Sequence, residues 1–260
     1  MAAGAQTEGV TMGNAVVHFE IGGPDDAPLV TFYGELFGWN LQPFEGGGYT
    51  LIDTNGGGGI NGGIGKSQTG EPWSTFYVEA EDLQAVLDKA ESLGAKTVMP
   101  ITDFGGAVTI AMFNDPDGLL VGLVKAADPA QGEAPAPSAG GGEPVDWFEV
   151  LGSDPGRTQR FYADLFGWTV GGGDSGTPPS YGLADTGAGR GIQGGLGSGT
   201  DAHWATIYAS VADVERTLAR AESLGGSRIY GPMAVDDHMQ TGALRDPAGN
   251  VFGVYHHGAH

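Results

Sequence analysis

The chain has 260 residues, 40% of them hydrophobic, enough apolar material for one large core or two ordinary ones. Acidic residues outnumber basic ones 32 to 11, and the net charge of −21 repels duplex nucleic acid and anionic membrane surfaces alike. The absence of cysteine excludes disulfides, thiolate-bound zinc and thiol nucleophiles, while the 49 glycines, set among aromatic and aliphatic runs, belong to turns and strands rather than to disorder.

Residues 1–13 read as a flexible polar leader without the basic and apolar regions of a secretory signal, so the expected location is the cytoplasm. Val16 to Ile21 reads as a strand with Val17, Phe19 and Ile21 on one face and His18 and Glu20 on the other. Asp25 is the expected N-cap of a helix carrying Leu29, Phe32, Tyr33 and Leu36 at three- and four-residue spacing, ended by Gly38. Tyr49 to Asp53 and Gly59 to Gly65 form short strands about an Asn55-Gly56 hairpin turn. Trp73 to Ala80 reopens the pattern as a strand with Trp73, Thr75 and Tyr77 on one face. Asp82 then caps a helix with Leu83, Val86, Leu87, Ala90 and Leu93 turned inward. Strands follow at Lys96 to Met99, Ala107 to Phe113 and Leu119 to Val124. Residues 126–143, rich in Pro, Ala and Gly and without large apolar side chains, mark a flexible, partly extended linker.

Beyond the linker the pattern returns. Phe32-Tyr33-Gly34-Glu35-Leu36-Phe37-Gly38-Trp39 becomes Phe161-Tyr162-Ala163-Asp164-Leu165-Phe166-Gly167-Trp168, and Gly59-Ile60-Asn61-Gly62-Gly63 becomes Gly191-Ile192-Gln193-Gly194-Gly195. Trp204 to Tyr208 answers Trp73 to Tyr77, Ala221 to Gly225 answers Ala90 to Gly94, and Asp246-Pro247-Ala248-Gly249 answers Asp115-Pro116-Asp117-Gly118. A period of half the chain is too long for a solenoid and marks two modules, 14–125 and 144–257, each expected to have its own core.

These motifs, in register twice, resemble the vicinal oxygen chelate superfamily, which includes glyoxalase I, the bleomycin-resistance proteins and the extradiol dioxygenases. The likeness is greatest to its tandem, glyoxalase-like actinomycete branch. It implies an α+β fold in which each module pairs two βαβββ units into a curved eight-stranded sheet around a cleft. It also implies where metal-dependent members hold their ion. Those positions are His18, Thr75 and Gly122 in module 1 and Trp147, Thr206 and Gly253 in module 2. Glycine offers no donor and a neutral threonine is a poor substitute for His or Glu, so no metal and no other cofactor is expected. His256, His257 and His260 cluster at the C-terminus without the fixed geometry of a closed site.

The clefts are left with other chemistry. Glu20 shares a strand face with His18, and Glu149 with Trp147, so the candidate acid/base residues are Glu149, Glu20 and His18. Against them stand a paired or network-capping role for each glutamate and a merely hydrogen-bonded role for His18. Trp73, Thr75 and Tyr77, with Trp147, Trp204, Thr206 and Tyr208, supply aromatic walls with hydroxyl handles suited to a flat or amphipathic ligand, or else ordinary core. Asn61 and Gln193 point an amide toward each cleft, and module 2 adds His238, Gln240, Tyr255, His203 and Arg190 at its rim. The expected function is metal-independent binding of a small organic molecule by a monomer or homodimer with no nucleic-acid or membrane partner. The rivals are a lyase, isomerase or hydroxylase-like enzyme using a cleft glutamate, and, less favoured, a metal-dependent glyoxalase or dioxygenase.

Overall fold

The computed structural model describes residues 13–45, 47–127, 135–172, 180–199 and 202–258. Module 1 runs β1 (Val16–Gly23), α1 (Ala27–Phe37), β2 (Asn40–Pro43), β3 (Tyr49–Asp53), β4 (Asn61–Lys66), then β5 (Trp73–Ala80), α2 (Leu83–Ser92), β6 (Lys96–Asp103), β7 (Thr109–Asn114) and β8 (Leu120–Lys125). Module 2 repeats it as β9 (Val145–Gly152), α3 (Pro155–Phe166), β10 (Thr169–Gly171), β11 (Tyr181–Asp185) and β12 (Gln193–Ser198). Its second unit is β13 (Trp204–Ser210), α4 (Val214–Ser223), β14 (Ser227–Ala234), β15 (Met239–Arg245) and β16 (Val251–His257). Each module forms one eight-stranded sheet, in the orders β2-β3-β4-β1-β5-β8-β7-β6 and β10-β11-β12-β9-β13-β16-β15-β14. The fold is α+β, two tandem modules of paired βαβββ units.

Local chemistry sets the elements. Asp82, Asp154 and Asp213 cap α2, α3 and α4, each carboxylate accepting the backbone N–H three residues on. The first helix departs from expectation: its N-cap is Asp26, already in a helical conformation, and Asp25 reaches only the Ala27 N–H, at 3.4 Å. Two strands, β2 and β10, have no signal in the sequence because four and three residues are too few to show alternation. Their pairing with β3 and β11 makes them strands.

The expectation of two cores is corrected: the buried apolar residues of both modules form one continuous cluster. Phe76 of β5 packs on Phe148 of β9 with ring centroids 4.8 Å apart. The helix of the repeated motif reaches into the other module, Tyr33 and Phe37 of α1 meeting Phe252 of β16 and Phe161 of α3 meeting Phe113 of β7. Hydrogen bonds follow the same crossing. Tyr33 Oη donates to Asp246 Oδ2 at 3.0 Å and Tyr162 Oη to Asp115 Oδ2 at 3.1 Å. Trp39 Nε1 donates to Glu143 O and Trp168 Nε1 to Asn14 O, tying the entry of each module to the other module. The ion pairs Arg157–Asp117, Arg190–Glu79 and Arg220–Glu35 also join the modules, each taking its arginine from module 2. Their arginines are more than two-fifths exposed, so these pairs contribute little.

Where composition suggests a flexible linker, residues 135–143 lie along module 1. Gly57 N–H donates to Ser138 O, Ser138 N–H to Asp53 Oδ1, and Glu143 N–H to Phe37 O. The rest of the linker's centre (128–134) and the leader up to residue 12 lie outside the described residues. Among the described residues no helix is long and apolar enough to cross a membrane.

Candidate functional site

Strand register builds the two clefts. In module 1, His18 stands opposite Tyr77, Glu20 opposite Thr75 and Gly22 opposite Trp73; in module 2, Trp147 stands opposite Tyr208 and Glu149 opposite Thr206. Directly opposed residues project from the same face, so the two glutamates are equivalent and each looks into the concave side of its sheet.

Both carboxyls are wrapped by hydroxyls. Glu20 Oε1 accepts from Tyr49 Oη at 2.9 Å and Oε2 from Tyr77 Oη in a short hydrogen bond. Glu149 Oε1 accepts from Tyr181 Oη at 3.0 Å, and Oε2 from Trp204 Nε1 at 2.9 Å and Tyr208 Oη at 2.6 Å. Burial raises both carboxyls above the ordinary glutamate value, and the donated hydrogen bonds only partly offset it. Tyr49 and Tyr181 escaped the sequence reading, although a signal was present. A Cβ on Gly63 would stand 1.9 Å from Tyr49 Oη, and one on Gly195 the same distance from Tyr181 Oη. The last glycine of each Gly-Ile-x-Gly-Gly run is therefore the opening through which a phenol reaches the glutamate.

Proton counting then fixes the outer end of the network. His18 Nε2 lies 3.2 Å from Tyr49 Oη, and Trp147 Nε1 lies 3.4 Å from Tyr181 Oη. With the carboxyl ionised, each tyrosine spends its one proton on its glutamate and its oxygen accepts, and the His18 tautomer that completes this pattern carries hydrogen on Nε2 as the indole does on Nε1. Burial pushes His18 down to about 4, leaving it neutral at physiological pH. In this pattern His18 and Trp147 hold matching places, each an N–H group behind a tyrosine.

The family's metal positions do not suit an ion. Thr75 Oγ1 donates to Leu120 O at 2.8 Å and Thr206 Oγ1 to Val251 O at 2.7 Å, both hydroxyls buried against backbone and withdrawn from any ligand, contrary to the handles expected. A Cβ on Gly122 would fall 2.5 Å from the Tyr77 ring, and one on Gly253 2.2 Å from the Tyr208 ring. A tyrosine ring occupies the space of the third ligand in both modules. Among the described residues no group of three His, Asp or Glu side chains is placed to hold a metal. His256 Nδ1 is within 2.9 Å of Val211 O, and His260 lies outside the described residues.

The remaining candidates divide. Trp204 bonds Glu149, whereas Trp73 lies over Gly22. The amide oxygens of Asn61 and Gln193 accept from Thr54 N–H and Thr186 N–H, pinning the turns between β3 and β4 and between β11 and β12. Tyr255 donates to Asp146 Oδ1 at 2.8 Å. Gln240 pairs with His256, one step from the Thr241–Tyr255 pair, and so projects from the opposite face. With His238, Asp236 and Asp237 it borders a separate depression of about 570 Å³, away from the cleft where both were expected. His203 reaches Asp117 O at 3.1 Å and Arg190 pairs with Glu79, so these two fasten the modules instead of rimming the cleft.

Tyr230 joins the network with no local signal in the sequence. Its hydroxyl lies 3.3 Å from Tyr208 Oη although β14 is three strands from β13, which shows how far the sheet curls over the small floor residues Ala243 and Gly253. Module 1 has Met99 at that register. Beside this network, on the β10–β12 flank, a pocket of about 470 Å³ is lined by Trp147, Thr169, Gly171, Leu183, Ala184, Asp185 and Gln193. Leu183 is 58% exposed, a large apolar side chain presented to whatever enters.

Two linked glyoxalase-like sheets, each with a cleft on its concave side, define a class. Residues 15–123 match the glyoxalase/bleomycin resistance protein/dioxygenase superfamily profile, and residues 148–255 match that of the glyoxalase-like domain. The chain belongs to this superfamily, the vicinal oxygen chelate group, as a tandem of two modules. CFP32 of Mycobacterium tuberculosis, provisionally called a glyoxylase, is 29% identical over 244 residues, spanning 88% of this chain and 90% of the relative. DauV of Streptomyces sp. strain C5, named an anthracycline biosynthesis protein, is 29% identical over 259 residues, spanning 91% of this chain and 90% of its own length. The manganese-bound glyoxalase of Novosphingobium aromaticivorans superposes with a TM-score of 0.63 at 14% identity, covering 94% of this chain and 83% of that one, a likeness of fold.

Proposed function

We propose that the protein binds a small flat or amphipathic organic molecule in the module 2 pocket and does so without a metal. The observation that carries this reading is Trp147. It holds the position that the family resemblance implies for a first metal ligand, and it walls the pocket together with Leu183 and Gln193. An indole face and an exposed leucine suit an aromatic body, and the Gln193 and Asp185 side chains can orient its polar groups. DauV's name, with its link to a polycyclic aromatic product, agrees in ligand class. Titration with 1,8-dihydroxyanthraquinone should give saturable binding by calorimetry, unchanged by a chelator, and Trp147→Ala should weaken it about tenfold, the loss of roughly 1.4 kcal/mol of stacking. One tightly held equivalent of iron, nickel, manganese or zinc per module in untagged protein would defeat the metal-free part of the reading.

A second reading is favoured by the paired carboxyls. Glu149 and Glu20, raised by burial and held by phenols, could pass a proton to or from a bound molecule. Glu149→Gln that keeps binding and loses turnover would support it. Bound ligand recovered unchanged from the parent protein would leave binding alone as the activity.

A further inference from the structure

The two modules differ in what lies against one matched set of residues. In module 1, Asn40 pairs with Asp53, Gln42 with Leu51 and His18 with Asn61; in module 2, Thr169 pairs with Asp185, Gly171 with Leu183 and Trp147 with Gln193. Ala184 lies opposite Val170 as Ile52 lies opposite Leu41, so every lining residue of the module 2 pocket has a counterpart in module 1. There, part of the linker takes up the polar groups. Asn61 Nδ2 donates to Pro135 O at 3.2 Å, and Ser138 N–H donates to Asp53 Oδ1 at 2.9 Å. Gly57 N–H adds a bond to Ser138 O at 2.8 Å, and Ala139 bridges to Gly56.

The local bonds of the two sets are alike. Asn61 Oδ1 accepts Thr54 N–H as Gln193 Oε1 accepts Thr186 N–H, and Asp53 Oδ1 accepts Asn55 N–H as Asp185 Oδ1 accepts Gly187 N–H. After those bonds, what remains in module 2 is the NH2 of Gln193 and the other lone pairs of Asp185. Among the described residues nothing plays the part of Pro135 or Ser138 toward them. Gln193 is one methylene longer than Asn61, and its amide is anchored through Oε1 to the matching turn.

We propose that the module 2 pocket is a binding site for an amide-bearing ligand, with a carbonyl oxygen accepting from Gln193 Nε2 and an N–H donating to Asp185. Trp147 and Leu183 cover its apolar body. The chain's own linker shows the pairing in module 1, and a chain with a net charge of −21 suits a neutral amide better than an anion. The inference rests on the reading of this pocket as the ligand site and narrows its ligand class.

The test uses the full chain and a peptide copying residues 134–140, acetyl-Ala-Pro-Ala-Pro-Ser-Ala-Gly-amide, titrated by calorimetry and by NMR of side-chain N–H signals. Saturable binding is expected, with the Trp147 Nε1–H and Gln193 NH2 signals moving and the Asn61 NH2 signal still. Gln193→Ala should weaken it about tenfold, one uncompensated hydrogen bond. Leu183→Ala, at a side chain mostly in solvent, should weaken it severalfold without loss of fold and serves if Gln193→Ala misfolds. No saturation up to millimolar peptide, or affinity unchanged in Gln193→Ala and Leu183→Ala, would overturn the proposal. So would movement of Asn61 in place of Gln193, since the peptide would then only be displacing the linker. Binding confined to a chain lacking residues 1–12 would overturn it too, making the leader the occupant. If dihydroxyanthraquinone binds and the peptide does not, the amide assignment alone fails; if neither binds, the pocket reading fails with it.

Discussion

Asp246→Ala should destabilise the folded chain by about 3 kcal/mol or more, the cost of leaving several buried hydrogen-bond donors without their acceptor, read as a lowered midpoint in urea. Asp246 is only 4% exposed. Its Oδ1 accepts the backbone N–H groups of Ala248, Gly249 and Asn250, and its Oδ2 accepts Tyr33 Oη and Asn250 Nδ2. Alanine would strand several buried donors at once, each costing about 1–3 kcal/mol where water cannot replace the carboxylate. Tyr33 belongs to the other module, so the loss should also loosen the docking of the two sheets. Tyr33→Phe removes a single bond and should cost about 1 kcal/mol. In the double variant the tyrosine change should add almost nothing, because its acceptor is already gone, and a cycle coupling near zero would show that the contact carries no energy. Asp115, which Tyr162 reaches from module 2, is the mirror site and should respond alike.

That latch shows what the sequence displayed and what it hid. The repeat made the two-module α+β fold legible, because strand alternation, aspartate caps and glycine stops are local effects written in neighbouring residues. The same repeat concealed the partnership between halves. A Phe-Tyr-x-x-Leu-Phe-Gly-Trp helix that looks like scaffold for its own sheet sends Tyr33, Phe37 and Trp39 toward the other module, a long-range fact with no local signature. In the site, period-two alternation placed His18, Glu20, Trp147 and Glu149 correctly on one face. It could not reveal Tyr49 and Tyr181, which arrive from a strand two places away across a glycine, nor Tyr230, which depends on the curl of the whole sheet. Thr75 and Thr206 depart from expectation for a related reason. Their face was right, but each hydroxyl turns to a backbone carbonyl of the neighbouring strand.

Glu149→Gln should leave the protein about 1–3 kcal/mol less stable at acid pH, and the gap should close as the pH rises. Tyr181, Trp204 and Tyr208 all donate to this carboxyl, and a glutamine must turn its NH2 toward at least one of these donors. The pH term has a definite sign. Burial holds the folded-state pKa of Glu149 above its ordinary value, the donated hydrogen bonds reducing the rise without cancelling it. Between those two values the folded chain keeps a proton that the unfolded chain has released, so the parent protein loses stability as pH climbs through the window. Glutamine does not titrate and loses nothing there. Comparing the two proteins at each pH cancels the repulsion common to a chain of net charge −21, leaving the contribution of this one carboxyl. Urea midpoints from pH 4 to 8 would measure it. A gap that widens with pH would mean that the three donors win over burial and hold Glu149 ionised throughout. The residue would then be an anchor for its tyrosines, with no proton to lend a bound molecule, and the acid/base reading of the cleft would fall while the binding reading stood.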